Sequence, residues 1–136
     1  MAFTVLIIDD NEDDLYFTSL VLNRCGVTYE PKTFESAEKA LDWLSSYPQP
    51  KSQIILLDIN MPGMDGFDFL NGFEVLPASV KDGAAIVMLT SSEDRGDRKR
   101  AEQFSSVRGY LTKPLDRQAA AGLVDLLGQH EEPKEF

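Results

Sequence analysis

The 136-residue sequence is poor in cysteine, in cations and in long apolar runs. A single cysteine, Cys25, excludes an intrachain disulfide framework. Standing just before Gly26, it reads as a small buried residue at a helix end rather than as a reactive thiol. Lys and Arg number 13 against 23 Asp and Glu, a formal net charge of −10. That deficit argues against general binding to nucleic acid or to an anionic membrane, because both need clustered cations to displace counterions. No apolar run approaches the roughly 18 residues that a bilayer span requires. Residues 1–8 are too short for a signal segment before Asp9 interrupts them. A cytoplasmic location is the expectation. Internal repeats, low-complexity blocks and interdomain linkers are also missing, so the sequence reads as one domain over residues 1–129 with a short tail over 130–136 and no output domain.

What is present is an ordinary globular composition, 43% apolar and 26% charged. Residues 5–8, 54–57 and 85–89 are continuous apolar runs, too short for helices and rich in β-branched side chains. Runs of that kind are strands buried on both faces. Residues 29–34 read as a weaker strand that Pro31 confines to a sheet edge, and residues 109–112 as a last short one. Between them, helical spacing predicts helices over residues 13–25, 66–75 and 94–104, another capped by Ser36 and ending before Pro48, and a last one capped by Asp116 and running to Leu127. The stretch around Pro77 and Lys81-Asp82-Gly83 reads as a loop, and Trp43 as half-buried packing on the second helix. Strands alternating with helices, each strand apolar throughout, predict an α/β doubly wound domain with a five-stranded parallel sheet and five helices.

In such sheets ligands gather outside the carboxyl ends of the strands. Asp9 and Asp10 follow the first run, Asp58 the third strand, Thr90 the fourth, and Lys113-Pro114 the fifth. Three carboxylates on one rim repel one another unless protons or cations neutralise them. A hard divalent ion, Mg²⁺ or else Mn²⁺, suits such oxygen ligands and would let Asp58 attack a phosphoryl group. Lys113 would then supply positive charge to phosphoryl oxygens, and Thr90 a hydroxyl donor. Glu12, Asp13 and Asp14 are read differently, as solvated residues favoured at a helix start by the dipole.

These residues lie in four stretches: Val5-Leu6-Ile7-Ile8-Asp9-Asp10-Asn11, Leu56-Leu57-Asp58-Ile59-Asn60-Met61-Pro62-Gly63-Met64-Asp65-Gly66, Leu89-Thr90-Ser91-Ser92 and Gly109-Tyr110-Leu111-Thr112-Lys113-Pro114. In that order the chain resembles the receiver domain of two-component response regulators. The resemblance implies a flavodoxin-like strand order 2-1-3-4-5 and a phosphoacceptor switch rather than a turnover enzyme. Asp58 matches the phosphoacceptor, Asp9 and Asp10 the acidic metal pocket, and Asn60 the position whose backbone carbonyl completes it. Thr90 matches the switch hydroxyl, Tyr110 the switch aromatic and Lys113 the phosphate-binding lysine, which Pro114 aims through a cis bond. Asn60 and Ser92 fall where the rate of acyl phosphate hydrolysis would be tuned. The implied donor is a histidine kinase or a histidine phosphotransfer protein. The implied output is a protein target, or a phosphorylation-linked homodimer, at the surface of the fourth helix, fifth strand and fifth helix. Arg95, Arg98, Lys99 and Arg100 on that fourth helix interleave with Glu93, Asp94 and Asp97 and read as a solvated, salt-bridged face.

Competing readings fare worse. An EF-hand loop starting at Asp9 would need Gly where Asp14 stands and Glu where Leu20 stands. A phosphatase of the haloacid dehalogenase type would need an acid two residues beyond its nucleophile, where Asn60 stands. A receiver degenerate in its chemistry would not keep Asp9, Asp10, Asp58, Thr90 and Lys113 together. Two stretches depart from the family pattern: Ser105-Ser106-Val107-Arg108, where small residues are usual, and residues 72–84, with Pro77 and Gly83 in place of a longer helix.

Overall fold

The computed structural model describes residues 2–127; the proposed tail over 130–136 lies outside them. Five strands, β1 (Phe3–Ile8), β2 (Tyr29–Phe34), β3 (Gln53–Leu57), β4 (Ala84–Thr90) and β5 (Val107–Thr112), form one all-parallel sheet in the order β2-β1-β3-β4-β5. The doubly wound fold and its strand order are as expected. β3 and β4 are buried at every residue, which is why their sequences carry no polar alternation. β2 is an edge strand, where the missing N–H of Pro31 costs no ladder bond on the open side.

Helices cover both faces. Leu15, Val21 and Leu22 of α1 (Glu12–Arg24) and Ala120 of α6 (Arg117–Gly122) pack with Val5, Ile7, Ile54, Leu56, Val87 and Leu89. On the other face, α2 (Ala37–Ser46), α3 (Gly66–Glu74) and α5 (Arg95–Glu102) cover Leu6, Ile8, Ile55, Leu57, Ile86 and Met88. α3 contributes the bulk there, with Phe67, Phe69, Leu70 and Phe73 all buried. The alternate residues of each strand thus feed two separate apolar cores, as the pleat requires. Ser36 and Asp116 cap α2 and α6 as expected, and Asp65 with Asp68 builds a reciprocal capping box at the start of α3. Trp43 is half-buried, stacked on Tyr47 at 4.4 Å between ring centres.

Among the described residues there are six α-helices where five are expected. The region taken as a loop contains α4 (Ala78–Lys81), one turn opened by Pro77, whose φ of −57° suits a helix start. Lys81 fastens that turn by donating from Nζ to the carbonyl of Glu74 at 2.8 Å. Gly83 then passes so close to the Lys51 carbonyl that a Cβ would sit 1.9 Å from its oxygen, which only glycine permits.

The final helix also differs. Instead of running to Leu127 as α-helix, α6 ends at Gly122 and continues as a 3₁₀ turn over Leu123–Leu126. Tyr29 is the cause. Its hydroxyl donates to the Ala120 carbonyl at 2.7 Å and accepts from the Val124 N–H at 3.1 Å. Those two backbone groups would otherwise bond each other as the i and i+4 pair of an α-helix, and a side chain inserted between them breaks the ladder.

Candidate functional site

The backbone fixes the rim before any side chain acts. Asp9 donates its N–H to the Phe34 carbonyl and Asp58 to that of Ile8, both at 3.0 Å, so the strand ends of β1, β2 and β3 stay in register past the last ladder residues. Lys113 donates its N–H to the Thr90 carbonyl at 2.9 Å, doing the same for β4 and β5. The Lys113–Pro114 bond is cis. The loop after β3 is pinned by the Gly66 N–H on the Ile59 carbonyl at 2.8 Å. α3 packs so tightly there that a Cβ on Gly66 would lie 2.5 Å from the Asp58 carbonyl oxygen.

Asp9, Asp10 and Asp58 meet as the strand ends predict, each offering a carboxylate oxygen within 4.8 Å of the others. Asp9 and Asp58 are buried and Asp10 is exposed. Burial pushes the Asp9 carboxyl above the usual carboxylate range, and the like charge of Asp58 adds to that push. Lys113 and the Asn11 N–H, which donates to Asp9 Oδ1 at 3.0 Å, offset it in part. Asp58 Oδ1 accepts from the Ile59 N–H at 2.9 Å, which orients the carboxylate and leaves Oδ2 toward the cluster.

Lys113 reaches the same point. Its Nζ lies 2.6 Å from Asp9 Oδ2, 2.8 Å from Asp14 Oδ2 and 3.4 Å from Asp58 Oδ2. Burial disfavours its charge, yet the hydrogen bonds to Asp14 and Asp9 and the field of Asp58 outweigh burial and hold the ammonium above the ordinary lysine range. Asp14 therefore departs from the expectation for the helix start. It is the third residue of α1, one turn beyond Asp10, and that turn brings it over the site while Glu12 and Asp13 stay exposed.

Thr90 is fully buried, and its Oγ1 accepts from the Ser92 N–H at 3.2 Å. The buried Tyr110 donates its hydroxyl to the Ser92 carbonyl at 3.1 Å, and burial raises its phenol above the usual range. The Ser92 hydroxyl donates to Asp97 Oδ2 at 2.7 Å, so Ser92 joins Thr90, Tyr110 and α5. Asp97 carried no signal of that role beyond its place in the first turn of α5. The cations of α5 also differ from the expected salt-bridged face: Arg98 lies over the Tyr110 ring at 5.1 Å and Arg100 over the Phe67 ring at 4.0 Å. Asn60 is exposed in the loop after β3, two residues beyond Asp58.

The donor set is hard oxygen with surplus negative charge, which fits a divalent cation of the Mg²⁺ kind held by one or two carboxylates plus water or phosphate oxygens. Beside it a groove lined by Asp14, Phe17, Thr18, Ser91, Lys113 and Pro114 opens to solvent. Among the described residues no helix is long and apolar enough to cross a membrane.

Comparison with known proteins agrees with this geometry. Residues 5–125 match the response regulator receiver domain family. The chain is similar to Protein PilH of Pseudomonas aeruginosa, 28% identical over 84% of this chain and 88% of that protein. It is also similar to Response regulator PleD of Caulobacter vibrioides, 31% identical over 85% of this chain. It spans only 24% of PleD and 45% of the Heme response regulator HssR of Staphylococcus epidermidis, to which it is 34% identical. Among solved structures, a response regulator receiver protein from Dyadobacter fermentans superposes with a TM-score of 0.82 at 30% identity, covering 91% of this chain and 97% of that one. A two component response regulator from Cytophaga hutchinsonii gives 0.79 at 28% identity over 90% and 93%.

Proposed function

The chain belongs to the response regulator receiver domain family of two-component signalling, and from that premise we propose that it is a cytoplasmic switch whose Asp58 accepts a phosphoryl group from a histidine kinase or histidine phosphotransfer protein. The observation that carries this reading is the convergence of Asp9, Asp10 and Asp58 within 4.8 Å, with the Lys113 ammonium among them.

Asp58 attacks through Oδ2, the oxygen not held by the Ile59 N–H. An O–P bond forms as the N–P bond of the donor phosphohistidine breaks, and the electron pair of that bond stays on the imidazole. Asp9, Asp10, Asp58 and the backbone carbonyl of Asn60 would hold Mg²⁺, which when bound offsets the repulsion between the carboxylate and the incoming phosphoryl oxygens. Lys113 turns from Asp58 toward those oxygens and supplies the compensating charge. Thr90 shifts its hydroxyl to the phosphoryl group, giving up the Ser92 N–H, and Tyr110 follows because both residues bond Ser92. Asn60 and Ser92 set how water reaches the acyl phosphate. The resulting change biases the surface of α5, β5 and α6, through which output runs to a protein target or a second copy of the chain.

The test is mass spectrometry of the intact protein after incubation with Mg²⁺ and a small phosphodonor. A gain of one phosphoryl group, absent in Asp58→Asn and after chelation, is expected. An unchanged mass in the unmodified protein overturns the reading.

A further inference from the structure

We infer that Asp14 is a positioning residue for Lys113, a second anchor that keeps the ammonium beside the phosphoacceptor without committing it to the phosphoacceptor. The inference rests on the proposed role of Asp58 for its consequences, and on the observed contacts for its substance.

An ammonium has three N–H bonds, and three carboxylate oxygens surround Lys113 Nζ. The distances are unequal: Asp9 at 2.6 Å and Asp14 at 2.8 Å are full charge-assisted hydrogen bonds, whereas Asp58 at 3.4 Å is long for one. Asp9 and Asp58 belong to the cluster suited to a cation, and Asp14 does not. Asp14 comes from a different element, α1, and its side chain is 41% exposed against 6% for Asp9 and 8% for Asp58.

Consider the same site without Asp14. The ammonium has only Asp9 and Asp58 left as charged partners, and both must then satisfy it. Its approach to Asp58 would tie up the nucleophilic oxygen, and its hold on both carboxylates would compete directly with a divalent cation. Asp14 relieves both conflicts by giving Lys113 a partner outside the cluster. The ammonium can release Asp9 and Asp58 and still stand within reach of phosphoryl oxygens on Asp58. Asp14 thus separates two tasks that four groups would otherwise share, cation binding by Asp9, Asp10 and Asp58 and phosphoryl stabilisation by Lys113.

The experiment compares Asp14→Asn with Asp13→Asn. Both remove one negative charge from the first turn of α1, but Asp13 is exposed and is not one of the three carboxylates paired with Lys113. Three quantities are read: the ¹⁵N–¹H resonance of the Lys113 ammonium without added metal, Mg²⁺ affinity by isothermal titration calorimetry, and the rate of phosphoryl gain with Mg²⁺ and a small phosphodonor. For Asp14→Asn the ammonium resonance shifts or broadens through faster proton exchange, and affinity and rate each fall by about three-fold or more, the scale of one lost ion pair. Asp13→Asn leaves the resonance in place and changes the other two far less. If the two variants behave alike, or if Asp14→Asn leaves the ammonium resonance unchanged, the inference is overturned. Absence of phosphoryl gain in the unmodified protein would instead overturn the reading of Asp58, and the resonance would still decide the role of Asp14.

Discussion

The Tyr110 hydroxyl donates to the backbone carbonyl of Ser92 across 3.1 Å. Ser92 in turn donates its own N–H to Thr90 Oγ1 at 3.2 Å, so the side chains of Thr90 and Tyr110 are joined through one peptide segment. Tyr110→Phe removes the first bond and leaves the buried ring in place. A loss of about 0.5–1.5 kcal/mol in stability is expected, seen as a lower urea midpoint with an unchanged slope.

Thr90→Ala separates chemistry from switching. Phosphoryl gain at Asp58 should persist, because in the proposed sequence Thr90 enters after the O–P bond forms. Phosphorylation-dependent partner binding or dimerisation, followed by size-exclusion chromatography with and without phosphodonor, should disappear. Loss of phosphorylation itself would contradict that division of labour.

Two glycines make a contrasting pair. Gly66→Ala forces a Cβ to within 2.5 Å of the Asp58 carbonyl and 2.8 Å of Ile59 Cα. Overpacking of that kind costs about 1–3 kcal/mol, and here it also displaces the loop that carries Asp58, so Mg²⁺ affinity should fall with stability. At Gly122, helical and with nothing within 4 Å of a Cβ, alanine should be neutral or stabilising by up to about 1 kcal/mol. Thermal denaturation with and without Mg²⁺ distinguishes the two.

Alkaline pH should loosen the clasp at Tyr29. Burial raises its phenol above the ordinary range, against the smaller opposing effect of the Val124 N–H. The folded state therefore keeps the proton at a pH where the unfolded chain has lost it. That contribution is complete below the unfolded value of about 10 and is lost as pH rises through it toward the folded value. Tyr110, shifted in the same direction by burial, adds to the effect. Melting temperatures from pH 8 to 11 should drop more steeply for the unmodified protein than for Tyr29→Phe. The variant should also let the Ala120 carbonyl and Val124 N–H pair directly, extending α6, which amide chemical shifts would report.

Much of this was written locally in the chain. β1, β3 and β4 were legible because a parallel strand buried on both faces has no polar alternation to confuse with a helix, and Asp9, Asp58 and Thr90 were legible because each ends or directly follows such a run. The extra turn α4 was missed because four residues carry no period. The break in α6 was missed because its cause, Tyr29, lies 91 residues from Ala120. Asp14 was misjudged for a related reason: a helix-start acid has a sufficient local explanation in the dipole, and only the tertiary fold sets Lys113 against it, 99 residues away. Local pattern specifies elements and what stands at their ends. Side chains that bridge distant elements follow from the fold.

α5 buries a single side chain, Ala101, and two of its arginines rest on aromatic rings rather than in a packed core. β4, its neighbour in sequence, is buried at all seven residues. The free energy of local opening must therefore step sharply along residues 84–102, high in the strand and low in the helix. Amide hydrogen exchange should be slow throughout β4 and much faster in α5. Displacing α5 sacrifices little apolar burial, so the rearrangement proposed at Thr90 has little packing to overcome there, while the sheet that carries the acidic cluster stays still.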